Sequence, residues 1–195
     1  QREAEVRAVS LVSVDGGVAG RSVRVLVKVV PNRSQTPSVN IVGTAGEQWL
    51  PTLWRAAFVA AEATDSSLLD FEFSLRVDEA IDGPSAGLLT ASTLIALLRG
   101  KQPLANTSMT GALNPEGSVG PVDEVLLRLR EAATAGVKRF GFPSGSRQQL
   151  DGSGAMVDLL TEGQRLGVTV KELGSLDDAY LFLTGEALPR PAPAK

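Results

Sequence analysis

The chain has 195 residues, 43% of them hydrophobic, and 19 basic against 22 acidic side chains leave a formal charge of -3. That length suits one compact unit, and without a broad positive field the attraction that dominates nucleic-acid binding is missing, so nucleic acid is not an expected partner. Cysteine and histidine are both absent, which excludes disulfides, thiol nucleophiles, the usual zinc ligands and every Ser-His or Cys-His arrangement.

No metal or other cofactor is therefore expected, and a hydrolase built on this sequence must use another base. The segment Gln1 to Glu5 is polar, and no run of about 18 apolar residues marks a membrane span. Val6 to Val14 and Val23 to Val30 are valine-rich and bounded by Gly16, Gly17 and Gly20, a pattern that predicts paired strands with a tight connection. Leu50 to Ala63 reads as a mostly buried helix starting near Pro51. Phe71 to Val77 alternates apolar and polar residues and predicts a strand.

Pro84 and Ser85 open the run Ala86 to Leu98, apolar nearly all round and too long for a strand, hence a central buried helix. A helix from Glu124 to Ala135 ended by Gly136, a strand Lys138 to Phe142 stopped by Pro143, and a helix around Ala155 to Leu166 ended by Gly167 follow. Strand Val168 to Leu173 and a last helix complete the order. Ser175 with Asp178 has the spacing of a capping box. Three prolines lie in Leu188 to Lys195, which reads as a loose tail.

A serine on the first turn of a buried helix can be activated, because unpaired amides and the helix dipole there favour a developing anion. Asp82-Gly83-Pro84-Ser85-Ala86-Gly87 supplies such a serine, with glycines on both sides that would let a substrate backbone approach. The same residues also fit an N-cap serine with glycines for a tight turn. Asp82 fits an orienting carboxylate and a turn-capping aspartate alike.

The string Asp-Gly-Pro-Ser-Ala-Gly at 82 to 87 resembles the nucleophile motif of the Lon proteases. Met109-Thr110-Gly111 is similar to that family's Met-Thr-Gly-Glu, Gly117-Ser118-Val119-Gly120-Pro121-Val122 to its Gly-x-Val-x-Pro-Ile/Val, and Ala135-Gly136-Val137-Lys138 to its Gly-Ile/Val-Lys strand. The likeness runs from about Phe71 to Leu183 and is weak through the first 65 residues. It implies an α+β fold, a Lon-type proteolytic domain with small mixed β-sheets packed against several helices. Residues 1–187 would form one domain, with a β-rich part over about 1–65 and a motif-bearing part over about 66–187, and 188–195 the proline-rich tail.

The resemblance further implies a serine endopeptidase acting on unfolded proteins or peptides through a Ser-Lys dyad, with Ser85 as nucleophile. In the family pattern Gly-Gly-x-Lys-Glu-Lys the last lysine, 43 residues after the serine, is catalytic. That count lands on Arg128, within Asp123-Glu124-Val125-Leu126-Leu127-Arg128, so both glycines and both lysines are missing. A guanidinium stays protonated in proteins and makes a poor general base. Arg128 is left three roles: a donor to the Ser85 oxygen, an electrostatic stabiliser, or an ion-paired structural residue, with Asp82 a candidate partner. Thr110 is the family's hydroxyl expected near the dyad base, whereas the glutamate after Thr-Gly is Ala112.

No Gly-x-x-x-x-Gly-Lys-Ser/Thr phosphate loop is present, so ATP is not expected to bind. The resemblance implies a separate ATPase or unfoldase as partner, self-association into hexamers, and a soluble, cytoplasmic setting. The alternative is a catalytically inactive Lon-like module that binds peptides or supports assembly.

Overall fold

The computed structural model describes residues 1–44, 49–79 and 83–189. Its elements run β1 (Arg2–Val14), β2 (Gly17–Pro31), β3 (Ser38–Gly43), α1 (Trp49–Ala63), β4 (Phe71–Val77), a 3-10 turn (Pro84–Ala86), α2 (Gly87–Leu98), β5 (Thr107–Met109), β6 (Ala112–Leu113) and β7 (Val119–Gly120). Then follow α3 (Val125–Thr134), β8 (Arg139–Pro143), β9 (Gln148–Leu150), β10 (Met156–Asp158), α4 (Leu159–Leu166), β11 (Thr169–Leu173) and α5 (Leu176–Thr184). This is the α+β arrangement expected, with small sheets against several helices.

The expected valine-rich strands are longer than the sequence suggested and form a hairpin across Asp15 and Gly16, paired from Arg2 with Val29 to Val14 with Gly17. The first sheet is mixed, in the order β1-β2-β4-β3, with β3 parallel to β4 and the other neighbours antiparallel. Val23, Val25, Val27 and Val29 alternate inward and are all buried, as the two-residue period of a half-buried strand requires. They pack with α1, α2 and α5 into the larger apolar cluster. On β1, Ala4, Val6 and Ala8 join that cluster, while Val9, one residue out of step, faces the second cluster around α3, Phe140, Phe142 and Leu159. One strand thus borders both cores.

Helix α2 is the central buried helix the sequence predicts: every residue from Gly87 to Leu97 is buried. Its hydroxyls would be costly there unless bonded. Thr90 and Thr93 meet this by donating to the carbonyls four residues back, at 2.8 and 2.7 Å, whereas the Ser92 hydroxyl is buried with no partner among the described residues. Leu88, Leu94 and Leu97 are fully enclosed, so truncating any one to alanine costs about 2–5 kcal/mol.

One element differs from its expectation. The segment expected as a helix from Ala155 begins as β10, and the helix starts only at Leu159. Asp158 is the reason: its carboxylate accepts from the Leu160 and Thr161 amides at 3.0 Å each, the N-cap geometry that fixes a helix start. Strand β8 is flanked by β11 and β5 in a parallel sheet of order β11-β8-β5. Its partner β5 carries the chain directly into Thr110 and Gly111.

Candidate active site

The 3-10 turn over Pro84–Ala86 leads straight into α2, and it places half-buried Ser85 at the mouth of the central helix. Pro84 has a fixed φ suited to a first helical position. The flanking glycines serve internal packing, not the approach of a substrate backbone as the sequence suggested. Both are buried; a Cβ on Gly83 would lie 2.8 Å from Cγ of the Trp49 ring, and one on Gly87 3.3 Å from Cβ of Leu113.

The serine is held by its own carbonyl. Ser85 O accepts from the Gly111 amide at 2.9 Å and from Thr110 Oγ1 at 3.3 Å, and Gly111 O accepts from the Leu88 amide at 3.2 Å. The Thr-Gly pair therefore clamps both sides of the turn. Thr110 is almost completely buried, at 1% exposure, and its hydroxyl donates to the Ser85 backbone carbonyl rather than to position 128. At the helix mouth the Ala86, Gly87 and Leu88 amides donate to Gly83 O, Pro84 O and Gly111 O. The dipole expected at this helix end remains, but these three amide donors are already paired.

Position 128 reaches the serine from α3. Val125, Leu126, Leu129 and Ala132 bury one face of that helix, and Arg128 lies with them at 5% exposure. Its Nη1 donates to Ser85 Oγ at 3.0 Å and to Val9 O at 2.7 Å, while Nε donates to Asp123 O at 2.9 Å. Burial pushes the guanidinium below its ordinary range, opposed by the nearby charges of Asp123 and Glu124. An arginine so placed still carries its proton and can only donate. Ser85 Oγ is accordingly the acceptor in this contact.

Asp82, the expected orienting carboxylate or partner of Arg128, lies outside the described residues. Ala112, where the family pattern has glutamate, sits in β6 opposite Gly120. Lys101 bonds Glu186 at 2.8 Å beyond the far end of α2, and Lys138 is exposed before β8, so neither stands in for the missing lysine. Among the described residues no group of three or more Asp or Glu could hold a metal ion. Sequence reasoning missed the carbonyls of Val9 and Asp123, which any residue type could supply. It also missed Arg55, whose Nη1 donates to Leu113 O at 3.1 Å beside the turn.

A serine at a buried helix mouth is thus contacted at its hydroxyl by a cation from a second helix, in a chain with no histidine. Residues 77–159 match the Lon protease (S16) C-terminal proteolytic domain. The mitochondrial Lon protease homolog of Ostreococcus lucimarinus is 32% identical over 99 residues, 51% of this chain and 10% of the relative. The Lon protease of Phenylobacterium zucineum is 41% identical over 66 residues, covering 34% and 8%. The archaeal Lon protease of Halobacterium salinarum is 24% identical over 153 residues, covering 76% and 22%. The chain thus spans about a tenth of the length of the first two relatives.

Proposed function

We propose that this chain is a slow Lon-like serine endopeptidase of unfolded proteins and peptides, with Ser85 as nucleophile and Arg128 as a fixed electrostatic donor in the lysine's place. The observation that carries the reading is the 3.0 Å contact from Arg128 Nη1 to Ser85 Oγ. A buried cation at that distance favours the alkoxide over the alcohol, because opposite charges attract strongly where water is scarce. The proton itself passes to solvent water or hydroxide, and Arg128 stays charged throughout.

The serine oxygen then attacks the peptide carbonyl, and the tetrahedral oxyanion forms beside the guanidinium and the positive end of α2. Collapse breaks the C–N bond, the amine leaves with a proton from water, and a second water hydrolyses the ester to restore the Ser85 hydroxyl. Thr110 is a positioning residue in this scheme, acting through the Ser85 carbonyl, and Asp82 keeps the orienting role the sequence gives it. Residues 1–187 act as one domain, self-associate, and receive substrates from an ATPase or unfoldase elsewhere.

Cleavage of an unfolded protein and a quenched peptide library by wild type, Ser85→Ala and Arg128→Lys from pH 6 to 10 tests the scheme. Wild-type rate should climb with hydroxide, without a neutral plateau. Ser85→Ala should be silent, and Arg128→Lys should gain about 10²-fold by restoring a group that can take up a proton. Cleavage persisting in Ser85→Ala would refute the assignment.

A second reading rests on one specific fact, that the group touching Ser85 Oγ cannot be a proton acceptor. In that reading the domain binds peptides or supports assembly without turnover. Silence in all three proteins, with retained peptide binding, would establish it.

A further inference from the structure

Beside the Ser85 turn lies a cleft of about 310 Å³ lined by Pro51, Thr52, Arg55, Pro84, Gly87 and Leu113, among others. Pro84 immediately precedes the serine and Gly87 follows it by two residues, so the cleft adjoins the position a scissile bond would take. Its walls are chemically uneven. Pro51, Pro84 and Leu113 present apolar surface, and Arg55 is the charged residue among the described lining residues.

Arg55 is also held in place. Its Nη1 donates to Leu113 O at 3.1 Å, which fixes the guanidinium across the cleft from the first turns of α1. Among the described residues no carboxylate pairs with it within salt-bridge distance. A carbonyl neutralises no charge, so the cation has no counter-charge among the described residues, and the nearby N-terminal end of α1 adds partial positive charge of the same sign.

We infer that this cleft selects acidic side chains, with Arg55 as the specificity-determining residue for substrate segments flanking the cleavage point. The methylene stem of a glutamate packs on the two prolines and Leu113, and its carboxylate meets the preset guanidinium fork, a charge-assisted contact stronger than that of a neutral amide. The inference rests on the proposed peptidase reading only in naming the bound peptide a substrate; the binding preference stands without it.

The probes are short unstructured peptides identical except for one central Glu, Gln or Leu, titrated by fluorescence anisotropy into the full chain carrying Ser85→Ala. The Glu peptide should bind about tenfold more tightly than the Gln peptide, the ratio for a charged hydrogen bond near 1.4 kcal/mol. Adding Arg55→Gln should erase that preference, Arg55→Lys should restore part of it, and salt at about 0.5 M should shrink it. Circular dichroism of each variant separates loss of selectivity from loss of fold.

Equal affinity for Glu and Gln peptides, no measurable binding of any of them, or a preference surviving in Arg55→Gln would overturn the inference. Glu-selective binding by a wild type that cleaves nothing would instead sink the peptidase reading and leave the cleft's selectivity intact. Cleavage without Glu preference would do the reverse.

Discussion

Glu124 shows how far a single position can depart from the ordinary needs of its backbone. It precedes α3 with φ at +55°, a left-handed conformation that costs an L-residue about 1–2 kcal/mol and glycine almost nothing. The Lon pattern has glycine at this point. Glu124→Gly should therefore stabilise the chain by about 0.5 kcal/mol, the relief of strain outweighing the added freedom of the unfolded glycine and the lost charge near the helix start. Urea unfolding of the variant checks this, and a lower midpoint would mean the glutamate side chain itself holds the loop. At the same scale, the residues of the candidate site were legible because Ser85, Thr110 and Arg128 each occupy a place in a spaced motif. Their neighbours were not, since Val9 and Asp123 enter through backbone carbonyls that carry no side-chain signature.

Between elements, α3 and α4 are joined by one carboxylate. Glu162 is buried to 7% side-chain exposure and bonds Arg130 of α3 at 2.7 Å and Arg165 of its own helix at 2.8 Å. The Arg165 contact, with help from Arg130, holds its carboxyl down at about 2 against burial, which pushes the other way. A depressed folded value stabilises the charged form, so the contribution is fully present above the ordinary value of 4.5 and disappears as pH falls toward 2. Both arginines are substantially exposed, which limits the cost of Glu162→Gln at neutral pH to about 1 kcal/mol. Thermal midpoints of wild type and variant should differ at pH 7 and converge near pH 2; a constant gap would contradict this. Ser175→Ala, which removes the capping box of α5, should cost about 1 kcal/mol at any pH.

Elements with strong internal patterns were the readable ones. Phe71–Val77 alternates, α2 is apolar all round, and the capping box marks α5 directly. The short strands β5, β6, β7 and β9 were unreadable because two or three residues hold no period, and their pairing is set by partners distant in sequence. Asp158 before Leu159 was a visible N-cap that the apolar run from Ala155 obscured.

Across the molecule, the exposed surface carries a feature that the buried site does not explain. Leu50, Trp54 and Phe58 recur every fourth residue on α1 and stand 42%, 38% and 47% exposed, a contiguous stripe of the sort that marks contact surfaces. It supports the proposed self-association. Light scattering after gel filtration should show assemblies at tens of micromolar for wild type and monomer for Trp54→Glu, whereas monomeric wild type would count against assembly through α1. No helix among the described residues is long and apolar enough to cross a membrane.

The hydrogen bond from Arg128 to the carbonyl of Val9 joins positions 119 residues apart. Contacts of such sequence separation form slowly, because loop closure precedes any reward from the contact. The Val9 anchor of the serine-arginine pair can therefore form only once the N-terminal hairpin has docked, and before that the guanidinium has only its local bond to the Asp123 carbonyl to hold it. Under the proposed peptidase reading, that order of events delays the cutting edge until its bearer has ceased to be a target.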